Sequence, residues 1–157
     1  MFPDAPSALG ITRLDDEQAA YRSLALAEIL CTQGYQADDT PDWIDFFGHA
    51  RIVTDAVEVF RDLNKPEVAL RWNGLAALPA NQYTRCHGMR LAIVSTAHLQ
   101  RGELDEALHA GRRALEVLRP VKSTRVEEHL KTPRTHLTGW HTVPEAQRLL
   151  RDLPAAS

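Results

Sequence analysis

Residues 90–120 read RLAIVSTAHLQRGELDEALHAGRRALEVLRP. In the second half, Leu104, Ala107, Leu108, Gly111, Ala114, Leu115 and Leu118 recur at helical spacing and form one apolar face. Gly102 is the residue type that ends a helix in a left-handed conformation, and Pro120 stops the helix that follows. Small residues at Ala92, Ala97, Ala107, Gly111 and Ala114 mark where two helices approach closely. The stretch predicts a helical hairpin. Its apolar face is too large for one hairpin to bury, so further hairpins are expected to stack on it.

This spacing resembles a tetratricopeptide repeat (TPR). That motif has a glycine at the inter-helix turn, an alanine five residues on and a second alanine seven after that; Gly102, Ala107 and Ala114 take those places, and Pro120 falls near its closing proline. His98 stands where the first helix usually has an aromatic residue, and Gly111 where the second does. Upstream, Ala69 and Ala76 repeat the alanine spacing with Asn64 in the place of Gly102, at an offset of about 38 residues. The loop around Pro79, Ala80, Asn81 and Gln82 would absorb the extra length.

The remaining composition fits an all-α chain. Glycine is scarce, β-branched runs are absent, and alanine, leucine and arginine dominate. The 157 residues suffice for one domain with a core. No run approaches the ~18 apolar residues of a membrane span. The opening MFPDAPSALG lacks the basic-then-apolar pattern of a secretory signal, so a cytoplasmic protein is expected. Cys31 and Cys86 form no CxxC pair and read as two reduced thiols. Residues 1–50 hold two arginines against nine acids, whereas residues 51–157 hold sixteen basic against twelve acidic residues. An acidic front half and the lack of a dense basic patch argue against nucleic-acid binding by this chain.

In order, residues 1–13 read as irregular, with Pro3 and Pro6 opposing a helix. Residues 14–40 read as a leading helix, Leu14 to Gln33, with a polar loop after it. Residues 41–121 read as two TPR-like hairpins. Thr40 caps the first helix, Pro41 opens it, and it runs to about Leu63; the next covers about Pro66 to Leu78, followed by Thr84 to Arg101 and Leu104 to Arg119. Residues 122–157 read as a closing hairpin. Thr124 with Glu127, and Thr142 with Glu145, have capping-box spacing, and Pro133 should end or kink the first of these helices. The sum is seven or eight helices in an α-solenoid of antiparallel hairpins.

Three stretches together resemble the C-terminal TPR region of actinobacterial regulators of the XRE helix-turn-helix family. They are PDWIDFFGHARI with FRDLNKPEVALR, RGELDEALHAGRRALEVLRPVKSTRVEEHL, and VPEAQRLLRDL. The likeness covers about residues 41–152 and implies a region that receives a signal from a peptide, protein or small molecule. Those regulators carry a DNA-binding domain that this chain lacks, so it reads as an excised sensor half or as a free-standing relative. The resemblance supplies no catalytic residue.

In a TPR stack the first helix of each hairpin lines a concave face. That places Arg51, Thr54, Glu58 and Arg61, then Met89, Ala92, Thr96 and Leu99, on a groove. Arg51, Glu58 and Arg61 would clamp a peptide carboxylate or acidic side chains; the plainer alternative is a solvated face with local ion pairs. Trp43, Phe46 and Phe47 cluster in an aromatic-poor chain and would pack inward or line a pocket with Trp72. Trp140 reads as a loop residue covering the end of the stack. Asp45 and His49 share a helix face, and with His98 they would form an acid–base set in a small-molecule enzyme of the cyclase or isomerase kind. A core role for His98 is the alternative. No HExxH, Cys/His ligand pattern, GxGxxG, P-loop or GxSxG occurs, so neither a metal nor a cofactor is expected. The expected function is groove binding of a protein or peptide partner, with a small-molecule ligand or a scaffolding homodimer as alternatives. The enzyme reading predicts a closed apolar pocket with a histidine at its wall.

Overall fold

The computed structural model describes residues 16–25, 42–75 and 84–155, of which 42–51 as backbone alone. Every regular element among them is helical. Residues 16–25 form α1. Then come α2 (Asp42–Asp62), α3 (Pro66–Gly74), α4 (Thr84–Arg101), α5 (Leu104–Leu118), α6 (Thr124–Leu137), a 3-10 turn (Thr138–Trp140) and α7 (Pro144–Asp152). None is long and apolar enough to cross a membrane. The chain divides into two compact units, Met1–Ile52 and Val53–Ser157. In the first, α1 is amphipathic, with Leu24 buried and Tyr21 exposed.

The second unit is built around α4. It packs most extensively on α5, then on α6 and α3, while α7 packs on α5. The α4–α5 hairpin turns as its glycine predicts. Gly102 adopts φ +76, its N–H donates to the Leu99 carbonyl at 3.0 Å, and the Glu103 N–H donates to the His98 carbonyl at 2.9 Å. This is a Schellman turn. The same turn stands 38 residues earlier. Asn64 adopts φ +56, its N–H donates to the Arg61 carbonyl at 2.9 Å, and the Lys65 N–H donates to the Phe60 carbonyl at 2.8 Å. Asparagine tolerates the left-handed region because its short polar side chain bonds locally. After each turn, the alanine of the second helix is fully buried: Ala69 in α3 and Ala107 in α5.

Small residues let the helices close. A Cβ on Gly88 would lie 2.5 Å from Leu118 Cγ, and one on Gly111 would lie 2.8 Å from Leu149 Cδ2. Gly111 thus lacks the usual aromatic because Leu149 of α7 fills that space. Beside it, Ser95 Oγ donates to the Ala107 carbonyl at 2.7 Å, joining α4 to α5. Met89, Leu108, Leu118, Val126, Leu130, Leu137, Leu149 and Leu153 form one core, with Trp140 packed against it from the 3-10 turn.

Three expectations about helix ends are corrected. Ser123, not Thr124, holds the extended N-cap position of α6, and Val143, not Thr142, that of α7; neither helix has a side-chain cap hydrogen bond. Proline at the start of α7 needs no N–H partner, which lets it begin without a capping box. Pro133 does not end α6, which continues to Leu137. Pro133 is buried in the core contact, so packing outweighs the hydrogen bond to the His129 carbonyl that proline cannot make. The described part of α3 ends at Gly74; the predicted continuation to Leu78, Ala76, the 79–82 loop, Thr40, Pro41, Cys31 and residues 1–13 lie outside the described residues.

Candidate functional site

Two clefts in the second unit carry titratable side chains. The first lies between α2 and α6. Helix α2 presents Glu58 and Arg61, three residues apart and so on one face. Helix α6 presents Arg125, Glu128, His129 and Thr132, at i, i+3, i+4 and i+7. That polar stripe lies opposite the buried Val126, Leu130, Pro133 and Leu137. Together these residues line a cleft of about 260 Å³.

Arg61 is the unusual member, being only 5% exposed. Its Nε donates to Asp62 Oδ1 at 2.9 Å, and Nη2 lies 2.7 Å from the same oxygen and 3.7 Å from Glu58 Oε1. Its Nη1 is buried and has no partner among the described residues. An unsatisfied buried donor costs about 1–3 kcal/mol. Gln100 fixes the helix from behind, its Nε2 donating to the Arg61 carbonyl at 2.9 Å. His129 is also buried, with Nδ1 3.8 Å from Glu58 Oε1. Burial holds the imidazole below its ordinary pKa; Glu58 pulls it up, Arg61 and Arg125 lower it further, and Asp62 opposes them.

Of the predicted groove residues, Glu58 and Arg61 meet in this cleft. Thr54 on α2 and Met89 and Thr96 on α4 are not among its lining residues, and Thr96 is at 0% exposure. The reason is that α4 is enclosed by α3, α5 and α6, so Met89 joins the core and Thr96 Oγ1 donates to the Ala92 carbonyl of its own helix at 3.3 Å. Trp72 is half-buried on α3. The side chains of Trp43, Asp45, Phe46, Phe47, His49 and Arg51 lie outside the described residues.

The second cleft, of about 470 Å³, runs between α4 and α5. Leu91, Val94 and Ala110 give it an apolar floor, and His98, Asp105, Glu106, His109 and Arg113 surround it. His98 Nδ1 lies 2.7 Å from Glu103 Oε2, and the other oxygen of Glu103 lies 3.0 Å from Arg101 Nη2. The imidazole is thus oriented by a carboxylate, and that carboxylate is Glu103 at the turn. The cleft has the size and the wall histidine of the expected small-molecule pocket, but it is an open groove rather than a closed chamber. Among the described residues, no group of three or more His, Cys, Asp and Glu is placed to hold a metal ion.

Arg125, Glu128, His129 and Glu103 were not singled out from the sequence. The first three are legible as a polar i, i+3, i+4 stripe. Glu103 is legible only through the repeat offset, which sets Phe60 and Lys65 against His98 and Glu103. Comparison of the chain with protein families, with curated proteins and with solved structures finds no match.

Proposed function

We propose that this chain is a TPR-like α-solenoid module that binds a protein or peptide partner, working in the cytoplasm and related to the sensor half of helix-turn-helix regulators. The repeated Schellman turn at Asn64 and Gly102 supports the repeat architecture. The observation that carries the function is Arg61. A buried guanidinium on the wall of a cleft it shares with Arg125 suits the carboxylate of an acidic side chain or chain end. Glu58 and Glu128 on the same walls would select against ligands that bring only negative charge.

Charge reversal at Arg61 would bury an unpaired carboxylate, so the test belongs on the exposed Arg125. Calorimetric titration with a pool of short acidic peptides should give binding that Arg125→Glu weakens by about tenfold, with the helical circular dichroism unchanged. Equal binding by both proteins would remove the cleft from the interface.

A further inference from the structure

The α4–α5 cleft differs from the first and is independent of it. Its histidine has a counterpart 38 residues earlier, where the same turn geometry holds Phe60 at 0% exposure. The change is paired. Where the first turn has Phe60 and Lys65, the second has His98 and Glu103, and Glu103 takes the imidazole at 2.7 Å. Packing alone is served by the phenyl ring, as Phe60 demonstrates. Of the pair, His98 sits on the wall of an apolar-floored cleft, and the side chains of His98 and Glu103 are 19% and 32% exposed.

We propose that this cleft binds a small molecule with a flat apolar body and one weakly acidic O–H, such as a phenol, with that O–H donating to Nε2 of His98. Three observations converge on this class. Nδ1 is occupied by Glu103, itself held by Arg101, so the ring is oriented and Nε2 is the nitrogen left for a ligand. With its proton on Nδ1, the imidazole offers Nε2 as an acceptor, which calls for a donor on the ligand. Leu91, Val94 and Ala110 supply the floor for an apolar body, in a volume ample for an aromatic ring.

The site also handles the proton. When the ligand ionises, its O–H bond breaks and the proton forms an N–H bond at Nε2. The imidazolium then faces Glu103, and the oxyanion shares the cleft with Arg113. Among the described residues Arg113 is paired with Glu116, at 2.9 Å, on the exposed surface of one helix. Such a pair is weak and readily exchanged. The proton returns to the oxygen on release, and no other reactant takes part.

The probe is 4-nitrophenol, whose anion absorbs visible light, added to the full chain at a pH where the free phenol is mainly protonated. Binding should raise the anion absorbance and shift the ring resonances of His98. His98→Phe, which restores the side chain of the preceding turn and should keep the fold by circular dichroism, should lower the bound anion signal about tenfold or more. Glu103→Gln keeps the shape of the dyad without its charge, so the probe should still bind while its ionisation falls. No rise in anion absorbance with the wild-type chain, or a rise that survives His98→Phe, overturns the site. Ionisation unchanged in Glu103→Gln overturns the dyad.

Discussion

The turn at Asn64 and the turn at Gly102 share one backbone and carry different side chains. Both reverse through a left-handed residue and make the same pair of hydrogen bonds. Yet the first buries Phe60 beside Lys65, and the second sets a His98–Glu103 pair beside a cleft. The turn is fixed by main-chain geometry, which constrains only the left-handed residue and the alanine that follows. The residue four before the left-handed one is left free, so it fills the core in one hairpin and presents a polar group in the other. Divergence within a fixed frame separates packing from chemistry.

The largest test of that contrast is truncation of the matched pair. Phe60→Ala should lower the free energy of unfolding by about 3–5 kcal/mol, and His98→Ala by about 1 kcal/mol, in urea denaturation. Equal losses would make His98 a core residue and erase the distinction. The helix contact at Gly88 comes next. Gly88→Ala places a methyl against the buried Leu118 and should cost about 1–3 kcal/mol despite alanine's better helix propensity. Gly102→Ala should cost about 1–2 kcal/mol through left-handed strain, while Asn64→Gly should be within about half a kcal/mol of neutral. A large loss at Asn64→Gly would mean that its side chain, and not the backbone alone, holds the first turn.

The smallest effect is a pH dependence. Burial holds His129 below its ordinary pKa near 6.5, and burial with Arg90 and Arg113 does the same for His87. The unfolded chain therefore binds protons more readily at both positions. Their contribution to stability is complete above about pH 6.5 and is lost as the pH falls through the lower folded values. Thermal unfolding followed from pH 8 to pH 5 should show Tm falling on the acid side, with a shallower fall in His129→Gln. A Tm that rose on acidification would contradict the burial of these rings.

Much of the helical frame was legible in the sequence, because it rests on local signals. Gly102 and Asn64 mark the turns, the α4 limits fall at Thr84 and Arg101 as read, and small residues mark the close contacts. The capping boxes misled because hydroxyl-to-acid spacing is a weak signal beside an adjacent proline or an extended Ser123. Pro133 does not end α6 because helix breaking is a local rule, and here a buried contact outweighs it. Half of the first cleft was legible, since Glu58 and Arg61 follow from the TPR register. Met89 and Thr96 were placed on the groove by the same register and are buried, because register alone does not say that α6 folds over α4. The α6 stripe and the role of Glu103 depend on which helices meet, which no single segment encodes.

The most direct test of the binding account is the side-chain NMR spectrum of Arg61 with nitrogen-15 label in the guanidinium groups. Two pools of the same short peptides would be added, one with free acidic groups and one with those groups amidated. The account predicts that the acidic pool shifts the Arg61 signals and that the amidated pool leaves them in place. Arg61 signals that ignore both pools, or move equally with each, would contradict it.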